Sequence, residues 1–517
     1  MAADPPKYRF GPLERRGLIA GWRGGQIAVI AAGLVVGVVA LRAHPDPIGV
    51  IAAVLALGSS LAVACWPLGG RTGEEWLPTV VRWGTDGVVG RRRRSPSPGA
   101  GHCPGNDGPV PCGLGDGSRR SGGGHRSVVG SMGAFGGLVV LGADAGPGSG
   151  DTEVGVVHDT RAGTFTGVLA LEGHSFALLG SDEKERRVAG WAGVLAALAR
   201  EGSSVHRIQW LAVAHPDDGR AVHSYLADRA VEPNASAAHA SYAELLDEAG
   251  ADTSRHAVLA AVQVHPGKAA YRSSPRGDAS VSVLLRELEN VRRLVTDADI
   301  SCLGVLDPAA LAATIRALGQ TDPPAVLDTD ASRREPPGLR TCPPCLVGAP
   351  WPMATEVEWD RVRTDGNWHA TYWIAEWPRV DVGPDFLAPL LLGPLRRSVG
   401  VVMEPISPSR AIRAVEQART ADIADSELRR RGGFLSTARR AREAELVVRR
   451  ESELADGHGS YRFSGYVTVT APSASQLEEW CEMTEHAAGQ ARLELRRLFG
   501  DQERALLCTL PLCRGLS

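Results

Sequence analysis

The order of apolar and polar positions divides the chain before any other property is considered. No residue between Arg23 and Arg42 is charged, and 27–41 is almost wholly apolar. A short polar turn over 42–47 separates this run from a second apolar run at 48–66. Each run approaches the ~20 residues that a helix needs to cross ~30 Å of hydrocarbon. Two such runs joined so tightly predict a transmembrane helical hairpin, with Trp22 and Trp66 placed as interfacial aromatics.

Beyond the hairpin the pattern shifts between periods of two and of 3.6. Alternation at 153–157 and 164–171 predicts strands, Glu172-Gly173 a turn, and 174–179 a returning strand. Val188, Trp191, Val194, Leu195 and Leu198 share one face of a helix over 183–200, and 205–214 reads as a strand. Helices follow at 221–230, 238–249 and 281–297, with a strand at 256–264. A second stretch opens with 368–377, apolar on both faces and so expected to be a central strand, followed by a strand at 399–405. Ser407-Pro408 supplies a helix start, and that helix runs to Arg431. Gly432-Gly433 breaks it before a charged helix at 434–454. A strand at 461–470, a capping box of Ser473 with Gln476 opening a helix to about 499, and a strand at 504–510 complete the chain.

The expected fold class is therefore α+β, with α/β-type subdomains of sheet plus helices packed on one side, preceded by the two-helix transmembrane hairpin. Composition supplies the boundaries. Residues 95–150 and 331–352 are rich in Gly, Ser and Pro and read as linkers, the first of them flexible. The chain then divides into a basic N-terminal tail (1–25), the hairpin (26–67), a basic juxtamembrane segment (68–94), the first linker, a soluble subdomain (151–330), the Pro-rich linker and a second subdomain (353–517).

Charge adds orientation. Lys7, Arg9, Arg15, Arg16 and Arg23 precede the hairpin, and Arg71, Arg82 and Arg91 to Arg94 follow it, whereas the turn has only Arg42 beside Asp46. By the positive-inside rule both termini face the cytoplasm, which makes the chain a multi-pass protein of the inner membrane. The Arg91 to Arg94 run is expected to meet anionic lipid. A net charge of -3 removes any whole-chain argument for nucleic acid, and direct DNA contact is not expected. Nine cysteines, an odd number with one C-x-x-C pair at Cys342 and Cys345, do not form the framework of a small secreted domain and read as reduced thiols. A zinc site would need two further ligands, for which Cys103, Cys112 and His102 are the nearby candidates, and no metal site is assigned.

Candidate chemistry is sparse. A phosphate-binding loop requires G-x-x-x-x-G-K-[ST], and the one Gly-Lys pair, Gly267-Lys268, has neither the earlier glycine nor the following hydroxyl. Gly173-His174-Ser175-Phe176-Ala177 has the outline of a nucleophile elbow, but its serine starts a strand rather than ending one. A membrane-tethered hydrolase using Ser175 is the enzymatic alternative. The main reading assigns no catalytic residue, no cofactor and no enzyme activity. Surfaces are better supplied. The aromatic cluster with Trp373, Trp377 and neighbouring Arg379, and the run Arg429, Arg430 and Arg431, are candidate partner contacts, although core aromatics explain the first at least as well and a solvated helix face explains the second better.

The segments WPMATEVEWDRVRTDGNWHATYWIAEWPRVDVGPDFLAPLLL, VVMEPISPSRAIRAVEQARTADIADSELRRRGGF, YRFSGYVTVTAP and FGDQERALLCTLPLCRGL, with YRFGPLERRGLIAGWRGGQIAVI at the N-terminus, resemble an actinobacterial membrane-protein family encoded beside conjugation and type IV secretion genes. The soluble part is similar to the N-terminal, non-motor domain of the type IV secretion ATPase, in which a strand and a Leu-Pro-Leu turn lead into the nucleotide-binding domain. The resemblance implies a scaffold subunit without catalytic residues, ending at Ser517 where a motor would begin. Its implied partners are a separate phosphate-loop secretion ATPase and a small membrane subunit of the same apparatus, with a homo-oligomer as a further option. A type VII-like secretion complex, which also includes a subunit with two N-terminal helices and a cytosolic domain, is the rival assembly.

Overall fold

The computed structural model describes residues 24–65, 67–68, 71–90, 92–94, 128–129, 133–144, 153–172, 178–216, 241–242, 244–245, 254–265, 267, 278–321, 350–431 and 438–516. The two N-terminal apolar runs form α1 (Gly24–Ala43) and α2 (Pro47–Cys65), both long and apolar enough to cross a membrane. Pro47 sits in the first turn of α2, where its missing N–H costs nothing. Small residues let the two helices approach closely. A side chain at Gly33 would overlap Ser60, one at Gly49 would overlap the carbonyl of His44, and Gly37 faces Ala53. At the open end of the hairpin the Gln26 amide donates to the Ala64 carbonyl at 2.9 Å. A two-residue ribbon, β1 (Pro67–Leu68) with β2 (Arg71–Thr72), leads into α3 (Gly73–Val88).

The strands that follow are β3 (Arg93–Arg94), β4 (Val128–Val129), β5 (Leu138–Asp144), β6 (Glu153–Asp159), β7 (Thr164–Leu171), β8 (Val205–Pro216), β9 (Ser254–Val264) and β10 (Cys302–Val305). With them come α4 (Ser181–Leu198), α5 (Asp278–Asp297) and α6 (Pro308–Leu318). After residue 350 come β11 (Thr355–Val357), β12 (Val362–Thr364), β13 (Asn367–Glu376), α7 (Ala388–Leu391), β14 (Arg397–Ile406), α8 (Pro408–Arg431), α9 (Ala438–Ala455), β15 (Ser460–Ala471), α10 (Ala474–Gln490), β16 (Glu494–Arg497) and α11 (Gln502–Leu506). Strands β3 to β16 form one 14-stranded sheet in the order β3-β11-β12-β13-β15-β14-β8-β9-β7-β6-β5-β4, with β16 added to β13 and β10 to β7. Every described strand pair is antiparallel.

This order is a palindrome in topology. Read outward from the seam between β14 and β8, each half runs seam strand, then β15 or β9, β13 or β7, β12 or β6, β11 or β5, and a two-residue edge strand, β3 or β4. The connections match as well. β9, α5, β10 and α6 follow one another as β15, α10, β16 and α11 do, and β10 joins β7 as β16 joins β13. Thr166 stands across from Gln263 in one half as Thr371 stands across from Thr468 in the other. The protein is thus an internal pair of like units, joined edge to edge by the register from Arg397↔Ala214 to Met403↔Ile208. The sheet runs unbroken between the two stretches that composition divides at 331–352.

The buried apolar residues of the strands divide among three clusters. On one face α4 and α5 cover Phe165, Leu169, Ile208 and Val262 with Leu284, Leu288 and Val291. Gly167 is part of this fit, because a Cβ there would lie 2.5 Å from Leu288 Cδ1. The same face of the second half places Tyr372, Ile374, Val399 and Val467 against Leu477, Cys481 and Ala488 of α10 and Leu390 of α7. On the opposite face a single cluster crosses the seam, uniting Val168, Leu211, Leu259 and Val402 with Leu311 and Ile315 of α6 and with Leu506, Leu507, Leu510 and Leu512 near the C-terminus. Burying an apolar surface on each face contributes about 25 cal/mol per Å² removed from water, so neither face can be left open.

Several expectations need correction. Helices pack on both sides of the sheet and not on one. Residues 133–144, assigned to the flexible linker, are folded: Phe135, Leu138 and Val140 are buried and β5 pairs with β6. The glycines around them dominated the composition and hid a short alternating strand. The helix opened by Ser473 stops at Gln490 instead of continuing to about 499. Arg492 adopts a left-handed φ of 58°, and the N–H of Leu493 returns to the carbonyl of Ala488 at 2.8 Å, a Schellman closure that reverses the chain into β16. The strand expected at 504–510 is helical, α11 passing into a 3₁₀ turn over Leu507–Thr509. Strand β13 is central as expected, yet one of its faces is polar and buried through His369 and Thr371. The helices at 221–230 and 238–249 lie outside the described residues except for 241–242 and 244–245, which are helical. The strand at 174–179 has only 178–179 described, which belong to the turn before α4.

Candidate functional site

A cleft of about 1460 Å³ opens on the face of the sheet that carries the C-terminus. Its walls are α3, the turn at 133–137, the β6–β7 hairpin, strands β8, β9, β13 and β15, and residues between Asp501 and Leu516. The C-terminal segment reaches this place by crossing the seam, and side chains of the sheet hold its backbone. Gln209 of β8 donates to the carbonyl of Cys508 at 3.0 Å and accepts the N–H groups of Leu512 at 3.1 Å and Cys513 at 2.7 Å. Gln263 of β9 donates to the Leu512 carbonyl and to Thr166, both at 3.2 Å. Tyr466 of β15 donates its hydroxyl to the Gly515 carbonyl. Two buried amides thus supply the backbone of Cys508, Leu512 and Cys513 with the partners that a neighbouring strand would otherwise offer.

Charge lines the cleft in closed pairs. Arg514 meets Asp159 at 2.5 Å, and the same carboxylate accepts the N–H groups of Arg161 and Ala162, fixing the β6–β7 hairpin. Arg207 joins Glu404 at 3.2 Å and donates to the Leu516 carbonyl at 2.9 Å. Burial raises the Glu404 carboxyl, but the hydrogen bond and charge of Arg462, with Arg207, outweigh it and its pKa falls below the usual range. Arg94 pairs with Glu503, which also accepts the N–H of Ala134 at 3.2 Å. His206 meets His265 edge to face with centroids 5.5 Å apart, and burial, then Arg207, lowers its pKa. Burial pushes the Cys508 thiol up to about 12 and that of Cys513 higher, so both stay protonated and unreactive near neutral pH. Among the described residues no cluster of His, Cys, Asp or Glu could hold a metal ion.

Helix α3 closes the cleft on the side of the helical hairpin. Trp76 stacks on Trp359 at 5.9 Å, and Trp83 meets the same ring edge to face at 5.3 Å. Arg82 pairs with Asp501, and burial, then the charge of Arg504, lowers its pKa. Of the arginines expected to face lipid, Arg91 lies outside the described residues and the other three contact this body. Arg92 lies 3.7 Å over the Trp83 ring, Arg93 pairs with Glu356 at 2.6 Å, and Arg94 is held by Glu503.

The candidate contact residues are not brought together. Trp373 is half-buried on the cleft side and donates to Ser464 at 3.0 Å. Trp377 lies on the other face, against Phe463 at 5.4 Å and the cluster under α10. Arg379 is exposed and pairs with Glu376 at 2.5 Å. Arg429, Arg430 and Arg431 end α8, in a helical hairpin with α9 that Arg419 and Glu451 tie at 2.7 Å. Ser175, Lys268, Cys103, Cys112, Cys342 and Cys345 lie outside the described residues. Sequence reasoning missed Gln209, Gln263 and Trp359; for the two glutamines the available signal was a lone amide within an apolar strand pattern.

Comparison with known proteins adds no relative: no protein-family model matches the chain, and no curated protein matches it.

Proposed function

We propose that this protein is a membrane-anchored scaffold subunit of a type IV secretion or conjugation-like apparatus, which docks a separate phosphate-loop ATPase. The observation that carries the reading is the attachment of one unbroken sheet, built from two like units, to an N-terminal helical hairpin through α3. A scaffold needs a body that keeps its shape under load, and a sheet covered on both faces supplies one. The basic residues flanking the hairpin orient both termini toward the cytoplasm in the inner membrane, where the ATPase and a small membrane subunit would be met. The family resemblance of 351–516 supports the choice of apparatus.

The test is a tagged pull-down of the full chain from detergent-solubilised membranes, read by mass spectrometry. Stoichiometric recovery of a phosphate-loop ATPase with a small two-helix membrane protein is expected. Recovery of the chain alone overturns the scaffold role.

A further inference from the structure

Helix α3 has two unlike faces. Trp76, Thr79, Arg82, Trp83 and Asp86 turn toward the soluble body, through the Trp359 stack, the Thr79 to Asp501 hydrogen bond at 3.5 Å and the Arg82 to Asp501 pair. Leu77, Val80, Val81 and Val88 recur at helical spacing on the other side and are 55%, 49%, 56% and 90% exposed. The aromatic stack prevents α3 from rotating to bury this stripe against its own sheet. The helix also begins where the hairpin ends, since a Cβ on Gly73 would lie 2.6 Å from the carbonyl of Val63 in α2.

We infer that α3 is an interfacial helix whose outward stripe lies in the headgroup and upper acyl region of a phospholipid bilayer while its inward face carries the soluble body. The inference rests on the membrane reading above and adds the orientation of the body. The occupant is lipid because the stripe continues from the end of a hairpin whose own outward residues, Leu34, Val35 and Val39, are equally exposed and apolar. Amphipathic helices of this kind bury their apolar face ~5–10 Å into the interface. Among the described side chains, the charges on α3 stand on the body side, Glu75 and Asp86 lining the cleft and Arg82 pairing with Asp501.

Benzoylphenylalanine placed singly at Leu34, Leu77, Val81, Val88 or Thr79, in the full chain in phosphatidylethanolamine–phosphatidylglycerol nanodiscs, tests this by ultraviolet cross-linking and mass spectrometry. Phospholipid adducts are expected at positions 34, 77, 81 and 88, on the order of tenfold above position 79, which faces the body. Adducts at 34 with none at 77 and 81 overturn the inference and leave the hairpin in the membrane. Cross-links from 81 to a second copy or to the chain's own N-terminal residues overturn it equally. Absence of lipid adducts at 34 removes the membrane reading and the inference together.

Discussion

The side-chain carbonyl of Gln209 accepts the backbone N–H of Cys513 at 2.7 Å, so a residue at the middle of the sheet binds one near the end of the chain. The same amide serves Leu512 and Cys508, which makes β8 the anchor of the C-terminal segment. This contact couples the two halves beyond the β8–β14 ladder, because it draws the end of the second unit over the strands of the first.

Gln209→Leu should therefore leave the buried N–H of Cys513 and the carbonyl of Cys508 without partners, while the N–H of Leu512 keeps the Leu510 carbonyl at 2.7 Å. The expected loss is about 3 kcal/mol of stability, from the desolvation of unpaired groups. Urea unfolding followed by tryptophan fluorescence measures it. The variant should also quicken maleimide alkylation at the buried Cys513, read by peptide mass spectrometry, while the exposed Cys65 reacts equally in both chains.

Trp359→Ala removes the ring shared by Trp76 and Trp83. A loss of about 3–5 kcal/mol at this contact is expected, as for other large aromatic truncations. Hydrogen exchange should quicken across 73–88 while β7, β8 and β9 stay protected. Uniform deprotection would mean instead that α3 and the sheet unfold as one unit.

The pH dependence follows from two buried histidines. Burial, with Arg396 second, lowers His369 to about 3 and His215 to about 2. The folded chain then keeps both neutral where the unfolded chain takes up protons. Stability is full above about pH 6.5 and falls as pH drops below it toward 3, at up to about 1.4 kcal/mol per unit for each group. His369, held between Thr364 at 2.6 Å and Thr470 at 3.0 Å, is the cleaner test. In His369→Gln the fall in the urea midpoint between pH 6.5 and 5 should be shallower than in the native chain.

The hairpin offers a geometric prediction. A Cβ at Gly37 would lie 3.6 Å from that of Ala53, within the range for a disulfide. Gly37→Cys with Ala53→Cys should oxidise readily, as read by mass spectrometry of the linked peptide. Adding Gly33→Leu, which must displace Ser60, should abolish the link by parting the helices.

Much of the fold was legible because its signals are local. The apolar runs of α1 and α2, the alternation of β7 at 164–171, and the Ser473 cap, which accepts the N–H of Gln476 at 3.3 Å, each depend on residues within one element. Failures came where distant partners decide. The β5 strand depends on β6 to give its glycine-flanked residues a place, and the segment after Arg504 depends on Gln209 and Gln263. The duplication left no readable repeat because equal positions need equal geometry and not equal residues, as Gln263 and Thr468 show.

The sequence by itself determined the helical hairpin and most strand and helix positions, since these follow from period and capping. Only the tertiary structure decided that two units share one sheet, that Arg92, Arg93 and Arg94 contact the body, and that α3 holds one face outward. Those facts depend on pairing between β8 and β14 and on the Trp359 stack, contacts between residues far apart in the chain. Local pattern fixes which face of a strand or helix must be buried, but long-range packing chooses what buries it.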